Sequence, residues 1–314
     1  MNRSPAQLTR KTQLSPDTYD FRFEKQYGSF EGLEPGAHID IHLSSDLVRQ
    51  YSVWKWDADA TALHVAVKIE DQGRGGSLAM HALEEGAIAQ LGGPRNHFHL
   101  EENSSHKLLV AGGIGATPIF AMAQALKNQG ADFQLLYLTR SKDFAAFDTA
   151  FQALELRDQY RLHCDDQDGM IDLPAVLHTL PVGSDIYTCG PEPMLNALLD
   201  AGSSLRGGCI HFERFAAAAE LSEGENKSFD VEIQSTGNTY TIGPDETILG
   251  VLSDQGIHVD FGCSEGLCGS CIVDVIEGEV DHRDGMLSPE EKATNEFMCV
   301  CVSRAKYDKI VLDL

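Results

Sequence analysis

The sequence predicts a multidomain chain in three parts: an antiparallel β-barrel, an α/β domain on a parallel sheet, and a small β-rich domain around a cysteine cluster. Three observations lead there. Apolar and polar residues alternate through the first hundred positions, as at 38–43 and 63–69, between Gly, Pro and Asp turns. That period belongs to half-buried antiparallel strands, and the spacing suits a small barrel. From residue 107 to about 215, apolar strands alternate with longer amphipathic segments, the pattern of crossover helices over a parallel sheet. Five of the eight cysteines crowd into positions 263–301.

A length of 314 residues accommodates two or three domains. The barrel is expected over 1–102 and the α/β domain over 103–217. In the latter, strands at 108–111, 133–138 and 185–189 precede helical segments at 119–126, 144–156 and 193–201. A small, polar, aperiodic stretch at 218–228 reads as a linker. The last domain, 229–314, opens with strands at 229–234 and 239–242 and a short helix at 248–254. The apolar run 108–126 approaches membrane-spanning length but carries Gly112, Gly113, Gly115 and Pro118, so it reads as strand, turn and helix. Residues 1–13 hold no apolar signal core, and a soluble, cytoplasmic protein with reduced cysteines is expected.

Charge narrows the partners. With 24 basic and 48 acidic residues the net charge is −24, which disfavours nucleic acid and anionic membrane and favours a basic protein surface. The first 221 residues carry 18 basic and 29 acidic residues, net −11; the last 93 carry 6 and 19, net −13. The negative charge is concentrated at the C-terminal end.

Cys263, Cys268 and Cys271 have the C-x4-C-x2-C spacing of a plant-type 2Fe-2S site, which needs one more distant thiolate. Gly262, Gly266 and Gly269 let the backbone wrap closely and aim N–H groups at sulfur. Structural zinc sites instead favour paired C-x2–4-C spacings. Cys299 and Cys301 are two apart and would share a strand face, so spacing leaves the fourth ligand open between them.

Upstream, Leu108-Leu109-Val110-Ala111-Gly112-Gly113-Ile114-Gly115-Ala116-Thr117-Pro118 runs from strand through a glycine turn into a helix. Such a turn lets N–H groups approach a pyrophosphate at the positive end of a helix. Pro118 stands where the third glycine of the G-x-G-x-x-G fingerprint would be. Thr139-Arg140-Ser141-Lys142 follows the next strand, and Cys189-Gly190-Pro191-Glu192-Pro193-Met194 ends a third, at the sheet edge where such folds bind nucleotides. In the barrel, Arg49-Gln50-Tyr51-Ser52 offers a cation, an aromatic plane and a hydroxyl, and Gly73-Arg74-Gly75-Gly76-Ser77 opens a helix. Together these suit a flavin ring and its phosphate.

Assembled, these residues resemble the phthalate dioxygenase reductase family, the NADH-dependent FMN and 2Fe-2S reductases of Rieske oxygenases, a group that includes the vanillate demethylase and carnitine monooxygenase reductases. The resemblance covers essentially the whole chain. It rests on Arg49, Tyr51 and Ser52, on Gly73 to Ser77, on Gly93-Pro94-Arg95-Asn96, on the glycine turn and on Cys301-Val302-Ser303-Arg304-Ala305-Lys306. It implies a six-stranded-type flavin barrel, a nicotinamide-binding domain and a β-grasp ferredoxin domain, in that order. It also implies FMN at Arg49, Tyr51, Ser52, Val67, Lys68, Arg74, Gly75, Gly76 and Ser77. NADH is implied at Gly113, Gly115, Thr117, Pro118, Arg140, Cys189, Gly190, Pro191 and Met194. The resemblance selects Cys301 as fourth ligand and sets Phe215 over the flavin; Ala216 and Ala217 depart from the glycine that relatives often carry there. Ser52, Thr117, Cys189 and Phe215 are the candidates at the hydride-transfer locus.

The implied activity takes a hydride from NADH onto FMN and releases single electrons through the cluster to a Rieske-type terminal oxygenase. A plant-type cluster near about −400 mV is low enough to reduce a Rieske centre at about −150 mV or above. Positioning and tuning are the protein's share, so no general base is nominated. A monomer is expected, with an acidic docking face on the ferredoxin domain. Two alternatives remain: the module serving a haem-thiolate monooxygenase, or a cluster-bearing electron carrier without hydride transfer. A chain that begins on flavin-domain strands is expected to lack a fused haem domain, and the intact nucleotide motifs oppose a simple carrier.

Other residues invite a structural reading. His97 and His99 stand at ligand spacing on an expected strand without a third ligand; residues 165–169 read as an acidic turn rather than a calcium loop. Cys164 and Cys209 read as reduced structural thiols. Asp281-His282-Arg283-Asp284 matches the family with no chemical role beyond a turn near the cluster.

Overall fold

A computed structural model describes residues 3–314 except 45–46, 74, 102–104, 216–225, 265 and 268, and omits the side chains of 289 and 290. Two compact units result, 1–215 and 216–314. Most of the expected linker, and with it the positions of Arg74 and Cys268, lies outside the described residues.

The first unit opens with β1 (Arg3–Ser15), β2 (Thr18–Lys25), β3 (Ala37–His42), β4 (Val48–Trp56), β5 (Ala62–Lys68), α1 (Gly76–Ala82) and β6 (Ile88–Asn96). The six strands close an antiparallel barrel in the order β1-β2-β5-β4-β3-β6. Alternate side chains fill it: Leu8, Phe21, Phe23, Ile39, Ile41, Val53, Leu63 and Val65 are fully buried, which removes apolar area from water at roughly 25 cal/mol per Å2.

There follow β7 (Lys107–Gly112), α2 (Ala116–Gln129), β8 (Phe133–Thr139), α3 (Asp148–Ala153), β9 (Tyr160–Cys164), α4 (Asp165–Asp168), α5 (Leu173–Thr179), β10 (Asp185–Cys189), α6 (Glu192–Asp200) and β11 (Ile210–Glu213). The strands form a parallel sheet in the order β11-β10-β7-β8-β9. Barrel and sheet share a core. Trp54 of β4 packs edge-on against Phe120 of α2 at 5.1 Å and against Phe147 at 5.3 Å, while its indole N–H donates to Asp20.

Local details depart from the sequence expectations. The helical segment expected at 144–156 shortens to α3, because Glu155 and Arg157 take left-handed dihedrals that a helix does not tolerate. The acidic turn at 165–168 is one short helix, with Asp168 accepting from the Cys164 N–H. His97 and His99 lie beyond the end of β6, not on a strand.

The second unit comprises β12 (Phe229–Ile233), β13 (Thr239–Ile242), α7 (Ile248–Asp254), β14 (Ile272–Glu277), β15 (Val280–Asp281), α8 (Pro289–Thr294), β16 (Phe297–Cys299), β17 (Arg304–Ala305) and β18 (Lys309–Leu312). A mixed sheet, β13-β12-β18-β14-β16, pairs β12 and β18 in parallel and packs α7 through Ile248 and Leu252. Thr247 caps α7 by accepting from the Gly250 N–H.

Candidate redox sites

In the barrel, Arg49 of β4 lies across the start of α1: a Cβ on Gly76 would come within 2.5 Å of the Arg49 Cγ and Nε atoms. Strand and helix motifs, 27 positions apart in the sequence, thus meet at one corner that carries the Arg49 cation. Gly75 enters the helix in a left-handed conformation. The Ser77 hydroxyl holds its own loop, accepting from the Glu70 N–H at 3.0 Å and donating to the Glu70 carbonyl. His81 bonds the Val67 carbonyl, tying α1 to β5, and Lys68 pairs with Glu70. Burial pushes the Tyr51 phenol pKa well up. Behind β4, Asp40 accepts from Arg95 at 2.7 Å and from Gln50, and neighbouring His38 is driven down to about 3, first by burial and then by Arg95 and His97.

At the carboxyl ends of the adjacent strands β7 and β10, the two glycine-bearing loops are in contact. A Cβ on Gly115 would meet the Cys189 carbonyl oxygen at 2.2 Å, and one on Gly190 would meet Met194 Cε at 2.6 Å. The close approach, rather than a special dihedral, demands glycine at 115. Gly113 is the position with positive φ, at 53°, and faces open space. Thr117 is buried and donates to the Ile114 carbonyl, so its hydroxyl braces the turn. Pro118 is buried in α2, Pro191 caps α6, and Arg140 lies exposed beyond β8, over the Phe144 ring.

A third convergence joins the barrel to the sheet. Glu213, beside Cys189 in strand register, faces the Ser52 hydroxyl of β4, which favours its ionised form. Burial drives this carboxyl up to about 8, against the pull of the Ser52 hydroxyl, while its Oε2 is sealed without a protein partner. Cys189 is fully buried, and burial together with the Glu213 charge raises its thiol pKa well above the ordinary value. Arg214 next door clamps Glu192 at 3.2 Å, anchoring the end of β11 to α6. Phe215 follows, 39% exposed.

In the second unit, Cys263, Cys271, Cys299 and Cys301 are all buried. Cys299 ends β16 and Cys301 lies in the turn beyond it, so they are not a strand-face pair. Both lie beside the Cys271 sulfur, which favours the Cys271 thiolate and raises the other two thiols. The Cys301 thiol also feels the neighbouring Cys263 and the Gly266 backbone. Leu267 N–H donates to Cys263 Sγ at 3.4 Å. Ser264 and Gly266 wind the loop through φ of 55° and 71°. Buried thiols with a backbone N–H aimed at sulfur fit an iron–sulfur cluster. Among the described residues no three His, Cys, Asp or Glu side chains converge on a single ion.

The chain matches the family models for the 2Fe-2S iron-sulfur cluster binding domain over residues 231–306 and the oxidoreductase FAD-binding domain over 5–100. The N-terminal domain of the dimethylamine monooxygenase subunit DmmA-like matches 94–206. The vanillate O-demethylase oxidoreductase of Pseudomonas sp. strain HR199 is 40% identical over 292 residues, 91% of this chain and 92% of that protein. Phthalate dioxygenase reductase, solved as a modular structure for electron transfer from pyridine nucleotides to [2Fe-2S], aligns at TM-score 0.76 and 32% identity over 100% of this chain and 98% of its own. The chain belongs to the phthalate dioxygenase reductase family. An intact type IV self-sufficient cytochrome P450 monooxygenase aligns at TM-score 0.87 and 34% identity over 99% of this chain, which spans 41% of the P450 chain. This family member is a flavin and iron–sulfur oxidoreductase.

Sequence reasoning gave Glu213 no role and Asp284 none beyond a turn near the cluster. Glu213 carried one signal, a lone carboxylate among His211, Phe212 and Phe215 at a strand end. Its contact with Ser52 spans 161 positions, beyond the reach of any local pattern.

Proposed function

We propose that this chain is the reductase component of a multicomponent oxygenase, moving a hydride from NADH to FMN and single electrons through its 2Fe-2S cluster to a Rieske-type terminal oxygenase. The carrying observation is that one chain holds both the Ser52, Cys189 and Glu213 convergence and a buried cysteine loop with the Leu267 N–H on the Cys263 sulfur. When bound, the flavin supplies conversion of a hydride's electron pair into single electrons.

In this reading Arg49, Arg74, Gly75, Gly76 and Ser77 hold the FMN phosphate, with Tyr51, Val67 and Lys68 along the flavin. Gly113, Gly115, Thr117, Pro118, Arg140, Gly190, Pro191 and Met194 receive NADH. Ser52 and Cys189 orient the reacting rings, Glu213 lies beside the Ser52 hydroxyl, and Phe215 excludes water from the flavin face until NADH arrives. Cys263, Cys268, Cys271 and Cys301 hold the cluster, leaving Cys299 as a packing thiol. The functional divisions are 1–102, 103–217, a linker at 218–228, and 229–314. The chain acts as a cytoplasmic monomer, and the acidic last domain, net −13, offers a docking face to a basic patch on the oxygenase. Among the described residues no helix is long and apolar enough to cross a membrane.

The P450 likeness favours a second reading, the same electron transfer serving a haem-thiolate monooxygenase. Flavin released from purified protein should be FMN, and recovery of FAD would overturn the phosphate assignment. Coupling to a Rieske oxygenase but not to a haem-thiolate monooxygenase supports the first reading; the reverse supports the second.

A further inference from the structure

Asp284 is the most deeply buried carboxylate among the described residues, with no solvent exposure. It lies on no regular element, and a carboxylate there demands compensation. Its Oδ2 accepts from the Leu287 N–H at 2.9 Å and faces the Lys292 ammonium at 3.7 Å. Its Oδ1 accepts from the Ser303 hydroxyl at 3.3 Å and meets His282 Nδ1 at 3.4 Å. Despite burial, which opposes ionisation, these partners hold the carboxyl below its ordinary pKa.

The partners come from separate segments. Ser303 follows Cys301 by two positions and also accepts from the Arg283 N–H. Lys292 belongs to α8 and donates to the Asp284 carbonyl. On the other side the Asp284 backbone abuts the cysteine loop: a Cβ on Gly266 would lie 2.9 Å from the Asp284 Cα, and Gly285 N–H donates to the Gly266 carbonyl at 3.0 Å.

We propose that Asp284 is a positioning residue that locks the 263–271 loop to the Cys301 segment, and that its buried charge, partly offset by Lys292, keeps the cluster's reduction potential low. The inference rests on the proposed cluster assignment. Reduction adds one negative charge to the cluster, and a fixed neighbouring carboxylate disfavours that addition. Removing the carboxylate should raise the potential, whereas removing only the Lys292 cation should lower it. A purely mechanical prop would not produce shifts of opposite sign.

The test is redox titration of the full-length holoprotein, followed by the EPR signal of the reduced cluster, in wild type, Asp284→Asn and Lys292→Met. At fixed ambient potential the reduced-to-oxidised ratio should rise about tenfold in Asp284→Asn, equivalent to about 59 mV for one electron, and fall in Lys292→Met. Shifts of the same sign, or ratios in both variants unchanged from wild type, would overturn the proposal. Should Asp284→Asn fail to take up iron, Lys292→Met decides alone: an unchanged or raised ratio counts against the inference. A wild-type protein with no 2Fe-2S signal would instead refute the cluster assignment itself.

Discussion

The two units solve the same problem, holding a redox group, by opposite means. In 1–215 the candidate site forms where separate elements approach closely: Gly115 lies against the Cys189 carbonyl and Gly76 under the Arg49 side chain, and a shared aromatic core around Trp54 fixes barrel to sheet. In 226–314 it forms where one loop, wound through left-handed Ser264 and Gly266, meets the Cys301 segment beside the buried Asp284. A wide planar ligand needs a groove between two rigid elements, whereas a compact sulfur-bound group needs a loop wrapped about it. Substitutions should therefore affect one unit and spare the other.

The largest effect should come from Cys301→Ala compared with Cys299→Ala. The first should abolish bound iron and NADH-driven cytochrome c reduction while NADH still bleaches the flavin. The second should keep the cluster, losing only roughly 1 kcal/mol of stability for a buried thiol. Equal iron loss in both would make Cys299 a ligand.

Next is Gly115→Ala, whose methyl group meets the Cys189 carbonyl oxygen at 2.2 Å. Overpacking of this kind should cost roughly 1–3 kcal/mol in denaturant titration and raise the KM for NADH, with iron content unchanged. Loss of iron would contradict the separation of the two sites.

These two predictions also divide what was legible in the sequence from what was not. The C-x4-C-x2-C spacing and the strand periods are local, so the cluster loop, the barrel and helix 248–254 could be read directly. The contact of Ser52 with Glu213 and the bracing of Gly266 by Asp284 depend on tertiary packing, and no residue period announces them. Cys299 and Cys301 seemed equivalent because a strand was expected through both; the turn after β16 separates their surroundings.

A smaller effect should follow Ser52→Ala, slowing flavin reduction by NADH roughly tenfold, the value of about 1.4 kcal/mol of positioning energy. Glu213 adds a pH signature. Its folded-state pKa, about 8, exceeds the ordinary carboxylate value of 4.5. The folded state therefore binds more protons than the unfolded chain across that window, and stability falls as pH rises from about 5 to 8. Denaturant titrations at both ends should show that decline in wild type and a flatter profile in Glu213→Gln. The smallest effect is electrostatic steering: oxygenase reduction should slow as salt rises, through the charge of the second unit.

The central claim, a nicotinamide-driven flavin feeding a cluster within one chain, is tested most directly by anaerobic addition of NADH to the purified protein while flavin absorbance and the 2Fe-2S EPR signal are followed together. The account predicts bleaching of one FMN per chain and appearance of the reduced-cluster signal. A flavin that NADH cannot bleach, or a bleached flavin beside a cluster that stays oxidised, would contradict it.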